Sequence, residues 1–337
     1  MLAPLGPPFP LAPVVDYSAP KVGELRSMAA KTKTQPALRA RHLPEIKPGK
    51  YADGMPLDEL RYLECKIILK PNHFTSRQSL FDFAKVMRRP AKKTGVRFDP
   101  SGYDLEPLQI REVLFVDTHD YRLYNNAFIL RRRIPYRDGF PVGEPEIVFK
   151  YRHPDLQKAA EMDVRPQVST DYRIKFKAEA LPLKDGLDGM RMLYSHNVEF
   201  HLPSIAAGER LSLDDMVRVL PALETLKHGH HEKLDLVNGT IVEEVLQDVG
   251  ELDFGNNIRT VANVALWRNR GDHSPLVGEF AFQLKFRRRE DMTDEALARG
   301  EAFFLALQQE ARDWIKLGAT KTGIVYRLKG NPPNAHE

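Results

Sequence analysis

The sequence predicts an α+β fold, a largely antiparallel sheet with flanking helices that can close into a barrel with a charged interior. Three observations predict it. Short segments repeatedly alternate charged with apolar residues, and the charge keeps one parity in each. Side chains two apart in a strand share a face, so each segment is a charged row backed by an apolar row. Helical periodicity is confined to a few stretches between these segments, as in an α+β chain.

The elements follow in order. Residues 1–57 read as an extended arm, because Pro4, Pro7, Pro8, Pro10, Pro13, Pro20, Pro36, Pro44 and Pro48 deny it a useful helix. Residues 58–330 are the expected tunnel domain, and 331–337 a tail. A first strand at 61–70 sets Glu64 and Lys66 against Leu63, Cys65 and Ile67. A helix at 76–88 carries Leu80, Phe81, Ala84 and Met87 on one face. Strands at 111–117 and 127–135 follow, the second aligning Arg131 with Arg133. Glu146 and Lys150 share a face at 146–152. At 172–180, Arg173, Lys175, Lys177 and Glu179 oppose Ile174, Phe176 and Ala178. A strand at 197–202 precedes a short helix capped by Ser212.

Asn238-Gly239, between two apolar runs, predicts a hairpin turn. Strands at 258–267 and 277–286 come next, the latter with Glu279, Ala281, Gln283 and Lys285 on one face. The last helix has a stripe of Phe303, Phe304, Leu307, Ala311, Trp314 and Ile315, with Gly318 at the expected C-cap.

Composition sets bounds. The chain has 337 residues, room for two domains or one barrel with insertions. Net charge is only +4, so anion affinity must come from local arrangement rather than bulk charge. Cys65 is the only cysteine, which excludes an internal disulfide and Cys-rich zinc sites and suits a reducing, cytoplasmic setting. No apolar run is long enough for a membrane helix, and a secretory signal is not expected.

Any single alternating strand is explained by a sheet with one wet face. Repetition and sign argue for more, since the fork of arginine suits phosphate and interspersed carboxylates suit a divalent metal. Other signals are weaker. His228-Gly229-His230-His231-Glu232 lacks the spacing of a metal motif and reads as a solvated loop. Lys321-Thr322 lacks the glycine frame of a P-loop. Arg287-Arg288-Arg289 is a basic cluster at a strand end, either solvated or beside a tunnel mouth.

One stretch resembles a known family. Phe115-Val116-Asp117-Thr118, running on to Leu130-Arg131-Arg132-Arg133, is similar to the aromatic-x-Asp-Thr to Leu-Arg-x-Arg segment of the CYTH superfamily, the triphosphate tunnel metalloenzymes. Glu64-x-Lys66, Glu146 to Lys150, Lys177-x-Glu179, Val277 to Phe280 and Thr320 to Tyr326 resemble further segments in the same order. The similarity spans about 60–328. It implies a closed or nearly closed antiparallel barrel of eight strands. It also implies phosphate binding by Lys66, Arg131, Arg133, Lys150 and Lys177. Mg²⁺ or Mn²⁺ would sit on Glu64, Glu179 and Glu279, with Glu64 and Lys66 at the chemistry.

The chain departs from the pattern at Tyr62 and Gln283, where the family has acids. The resemblance implies a hydrolase of a triphosphate or polyphosphate, carried by a small molecule or conceivably a 5′-triphosphate end. The alternative is a non-catalytic tunnel that binds a polyanion, or a subunit whose arm contacts another protein.

Overall fold

The structure is a computed structural model that describes residues 43–202, 211–226 and 231–330, all within one compact unit, Pro36–Glu337. Its strands are β1 (Tyr62–Leu69), β2 (Arg97–Asp99), β3 (Gln109–Asp117), β4 (Phe128–Arg137), β5 (Phe140–Pro141) and β6 (Glu146–His153). They continue as β7 (Tyr172–Pro182), β8 (Met190–His201), β9 (Leu211–Ser212), β10 (Lys233–Asp253), β11 (Arg259–Asn269) and β12 (Pro275–Lys285). The helices are α1 (Arg77–Thr94), α2 (Arg122–Asn125), α3 (Leu156–Glu161), α4 (Leu213–Val219), α5 (Asp294–Glu310) and α6 (Lys321–Tyr326).

Nine strands close into a barrel in the order β11-β12-β1-β7-β8-β6-β4-β3-β10, and β10 pairs back onto β11. The expected barrel was antiparallel with eight strands. A closed ring with an odd strand number cannot alternate direction all the way round, so at least one neighbouring pair must run parallel. That pair is β1 and β7, in a register that sets Tyr62 beside Lys177 and Glu64 beside Glu179.

Parity then sorts the side chains. The outward row of β1, with Cys65, Ile67 and Leu69, packs with Phe280, Phe282 and Leu284 of β12 under α1 and α5. Phe83 of α1 meets Phe280 at 5.4 Å between ring centroids. The outward faces of β4, β6 and β8 are covered by α4 through Leu213 and Met216. Burying these rows outside leaves the charged rows facing in.

Helix ends differ from expectation for local reasons. Helix α1 is capped by Ser76 and passes through Pro90 to Gly95, whose φ of 70° ends it. Helix α5 stops at Glu310, and the stripe continues past it because Ile315 bridges back to Leu69 of β1. Asn238-Gly239 does not turn a hairpin. Both have positive φ, 55° and 60°, yet β10 runs straight through them. Its pairing with β3 slips between Leu236 and Ile241, so the residues form a bulge. The Asn238 amide donates to the carbonyls of Val325 and Tyr326 at 2.8 and 3.0 Å, anchoring α6 there.

Part of the segment read as an arm is packed. Leu43 joins the α1/α5 core, while Tyr51 and Leu57 join Ala159, Ala160, Phe176 and Tyr194 outside β7 and β8. Arg289, from the basic cluster, helps hold this segment by donating to the carbonyl of Pro44 at 2.8 Å. We propose that the arm proper ends before Leu43. A chain starting at residue 43 is then expected to melt like the full chain, and one starting at 58 at a lower temperature.

Candidate active site: the charged lumen

Alternation carries charged side chains of eight strands into one cavity of about 210 Å³. Among the described residues its lining holds nine Lys and Arg side chains against five glutamates. One end is plugged by apolar groups, with Ile68, Phe115, Ile129, Trp267 and Val277 packed against Val325 and Tyr326 of α6. At the other end Arg111 and Arg133 also line a larger cavity of about 980 Å³. The lumen is a blind tunnel with a cationic mouth.

The side formed by β1, β6 and β7 is charge-matched. Glu179 is buried and accepts from Lys150 Nζ at 3.1 Å and from the Ser195 hydroxyl. Lys66 and Arg152 lie 3.2 and 3.4 Å from its oxygens. Burial alone would raise the pKa of this carboxyl, but Arg152, Lys150 and Lys66 hold it well below the usual range. Lys66 also bonds Glu64 at 2.9 Å, and Lys177 reaches Glu64 at 3.4 Å and Gln283 at 2.6 Å. Burial opposes ionisation of Glu64 too, yet Lys66 and Lys177 bring it down to about 2. Burial and the neighbouring Arg152 push Lys150 well below an ordinary lysine.

The side formed by β3 and β4 is not matched. Arg133 pairs with Glu146 and, at 3.4 Å, with Glu199. Arg111 pairs with Glu244 at 2.6 Å. Arg131, one inward position beyond Arg133 and opposite Phe115, has no ion pair or side-chain hydrogen bond among the described residues, and its Nε is sealed from solvent without a partner. Burial, then the adjacent Arg133, draws its pKa down to about 10. A buried guanidinium with unmet donors is costly, and an anion in the lumen would satisfy it.

The structure therefore brings every expected site residue, Glu64, Lys66, Arg131, Arg133, Lys150, Lys177, Glu179 and Glu279, to one lumen. It adds Arg111, Arg152, Lys175, Glu199, Glu244 and Lys321. Lys175 was visible as part of its charged row. Glu199 sits between Lys175, at 2.8 Å, and Arg133, and its pKa falls to about 2 because those cations outweigh burial. Glu244 lies in adjacent acids on a long strand, where parity is hard to assign. Lys321 comes from the start of α6, lies over the Trp267 ring at 4.6 Å, and bonds Glu244 and Glu279 at 3.1 and 2.7 Å. The Asp117-Thr118 pair is structural. Asp117 accepts the backbone N–H groups of Thr118, Leu123 and Tyr124 and the Tyr326 hydroxyl, so it fastens α2 and α6. The histidine cluster lies mostly outside the described residues; His231 is exposed, its N–H donating to Asp214.

The fit of a divalent cation is conditional on this pairing. Among the described residues no three His, Cys, Asp or Glu side chains form a metal cage. Glu64 and Glu179 face each other across β1 and β7 but share Lys66, and Glu279 is bonded to Lys321. Carboxylate oxygens are the donors Mg²⁺ prefers, and one or two with substrate phosphates suffice. The set suits a cation that arrives with phosphate rather than a permanent ion.

No protein-family model matches the chain, and no curated protein matches it. Solved structures do. One, from Hippeastrum, is described as a "putative adenylyl cyclase" with a dominant triphosphatase activity. It shares 13% identity over 82% of this chain and 100% of its own, with a TM-score of 0.36. The next two are each described as a "putative adenylate cyclase". A second, from Bacillus halodurans, shares 10% identity over 78% of this chain and 95% of its own, with a TM-score of 0.35. A third, from Vibrio parahaemolyticus, shares 10% over 80% and 99%, with a TM-score of 0.31. Likeness at this level says nothing about reaction or substrate. No described helix is long and apolar enough to cross a membrane.

Proposed function

We propose that the chain is a divergent CYTH protein whose tunnel binds a triphosphate or polyphosphate group and hydrolyses a phosphoanhydride bond in it. The observation that carries this reading is Arg131, a buried cation without an ion-pair partner among the described residues, in a lumen where cations outnumber acids. In such a site Arg131 and Arg133 clamp phosphate oxygens through charged hydrogen bonds. Lys150 and Lys177 extend the clamp along the neighbouring walls, and Lys66 turns from its glutamates toward the phosphates. Phosphoryl transfer needs mainly positioning and charge stabilisation, so a lumen without a conventional nucleophile is adequate. A divalent cation, Mg²⁺ or Mn²⁺, held by Glu64, Glu179 and Glu279 would polarise the phosphoryl group and orient water.

A second reading, binding without turnover, is favoured by Tyr62 and Gln283. Both replace potential metal ligands at the open end, and both already engage Lys177. Calorimetric titration and phosphate release on tripolyphosphate, ATP and thiamine triphosphate, with Mg²⁺, Mn²⁺ or EDTA, separate the two. Turnover that EDTA abolishes supports the hydrolase. Tight binding without turnover supports the second reading, and no binding at all defeats both.

A further inference from the structure

Residues 51–60 pack outside β7 and β8 through Tyr51, Leu57 and Leu60, and one polar knot ties them there. At its centre is His196 of β8, fully buried, its ring centre 4.8 Å from that of Phe176. Its Nδ1 lies 3.2 Å from the carbonyl oxygen of Ala159 in α3, and its Nε2 lies 3.1 Å from Oδ2 of Asp58. The Tyr51 hydroxyl lies 3.0 Å from the same Asp58 oxygen and 3.1 Å from the carbonyl oxygen of Ala160. It also accepts the Asp58 N–H at 3.2 Å.

Proton counting sets the charge of this knot. Three oxygens wait for a donor, those of Ala159, Ala160 and Asp58. Tyr51 supplies one proton and keeps it, because burial pushes its hydroxyl up. A neutral imidazole supplies one more, an imidazolium two. Only the doubly protonated ring meets all three acceptors. Burial alone would raise Asp58, but the bonds from His196 and Tyr51 bring its carboxyl below the usual range, so the ring faces a carboxylate. The other charges around the knot are engaged elsewhere. Arg165 lies over the Tyr51 ring at 4.6 Å and bonds Asp53 and Asp163 at 2.8 and 2.7 Å. On α3, Asp155 accepts the Lys158 N–H and Glu161 accepts from Gln157, while burial raises Tyr194 of β8.

We propose that Tyr51, Asp58 and His196 form a pH-sensitive latch, closed while the imidazole holds two protons and opened when one leaves. The latch fastens residues 51–60 and α3 to β8. It also backs the lumen, since the side chains flanking His196 face inward. The Ser195 hydroxyl donates to Glu179, and Asn197 lines the cavity. The ring's contribution is present at low pH and is lost as pH rises through its titration, the sign for a base that gains partners on folding. Asp58 sets the acid limit, because its carboxylate is lost only below the ordinary range. Nothing in the latch depends on which anion the tunnel binds, so its failure leaves the tunnel reading untouched.

Two measurements on the full chain test it, from about pH 5.5 to about pH 8.5, a range that brackets an ordinary imidazole. Nitrogen NMR of the His196 ring should show two N–H groups at the low end and one at the high end. Hydrogen exchange over residues 51–60, corrected for its intrinsic pH dependence, should speed up about tenfold across the same step, the effect of one unmet buried acceptor. Exchange in β11, across the barrel, should not follow it. His196→Gln keeps a donor and an acceptor without titrating, so exchange over 51–60 should be fast and flat with pH. Asp58→Asn, at a half-buried position, removes the carboxylate and should move the ring's step to lower pH. A ring that holds one proton throughout, or two throughout, overturns the latch. So does exchange that ignores the ring's titration, or a step that Asp58→Asn leaves in place.

Discussion

The two sides of the lumen solve the same electrostatic problem in opposite ways. On the β1/β7 side, Glu64 and Glu179 are surrounded by Lys66, Lys150, Arg152 and Lys177, and each charge meets its complement. On the β3/β4 side, Arg131 lies one inward position beyond Arg133 and has no ion pair among the described residues. Buried pairs contribute little net stability, because desolvation offsets their attraction, but removing one partner is costly. An unmatched buried cation costs stability from the start. The matched wall is therefore balanced before any ligand arrives, and the unmatched wall is where an anion meets a cation that has not yet been neutralised.

The largest expected effect breaks the unmatched side. Replacing Arg131 and Arg133 together with alanine should weaken tripolyphosphate binding by about 3–6 kcal/mol, since hydrogen bonds between charged partners contribute roughly 1.5–3 kcal/mol each. Arg131→Ala alone should hold or raise the melting temperature, because it relieves like-charge crowding in the ligand-free lumen. The double change also gives up the Arg133 pairs with Glu146 and Glu199 and should melt lower than Arg131→Ala. Calorimetry and a thermal melt read both effects, and affinity that survives the double change would place the anion elsewhere.

The matched side should respond the other way. Glu179→Gln leaves Lys66, Lys150 and Arg152 around a neutral amide, so stability should fall by about 3–5 kcal/mol, the range for breaking a buried pair. Denaturant unfolding measures it. A loss under ~1 kcal/mol would mean that the cations find other partners, and the contrast between the walls would dissolve.

Much of this lumen was legible because strand parity is strict. Glu64 with Lys66, Arg131 with Arg133, and Lys177 with Glu179 each lie two apart, and closing the sheet sends all of them inward. What sequence could not show was neighbour choice. The parallel β1–β7 pair joins residues more than a hundred positions apart, and it alone places Glu64 beside Glu179. The Asn238-Gly239 bulge misled because its left-handed residues suit a hairpin equally well. The cue that decides, the Asn238 amide capping the end of α6, comes from about ninety residues away. Lys321 was missed for a related reason, since its element is a helix and strand parity says nothing about it.

Acid provides a graded comparison of the same walls. Glu64 and Glu199 both ionise at about 2 in the folded chain, below the 4.5 of a free glutamate. A depressed carboxylate pKa adds stability that is fully present above the unfolded value and is lost as pH falls through the folded one. Stability should thus decline between about pH 4.5 and 2 by at most on the order of 3 kcal/mol for each group. In Glu199→Gln the slope should be shallower by one group's share, measured by denaturant midpoints at fixed pH. An unchanged slope would remove Glu199 from the ionised set.

The smallest effect concerns the acid that the lumen lacks. Tyr62 lies at the open end, with the Lys177 and Lys285 ammoniums 5.7 and 5.9 Å from its ring centre. Tyr62→Glu would put a carboxylate two residues from Glu64 on the same inward row. The new acid gains a neighbour for metal, but it also gains two lysines, and a pair at the partly wet mouth contributes only about 0–1 kcal/mol. Competition between the lysines and the metal should therefore limit the gain in Mg²⁺ affinity to about tenfold, seen when Mg²⁺ is titrated into the tripolyphosphate complex. Adding Lys177→Met should enlarge that gain by freeing Glu64 and the new carboxylate together. If neither change alters Mg²⁺ affinity, the acids of the β1/β7 wall serve the lysines alone, and binding without turnover becomes the better account of the tunnel.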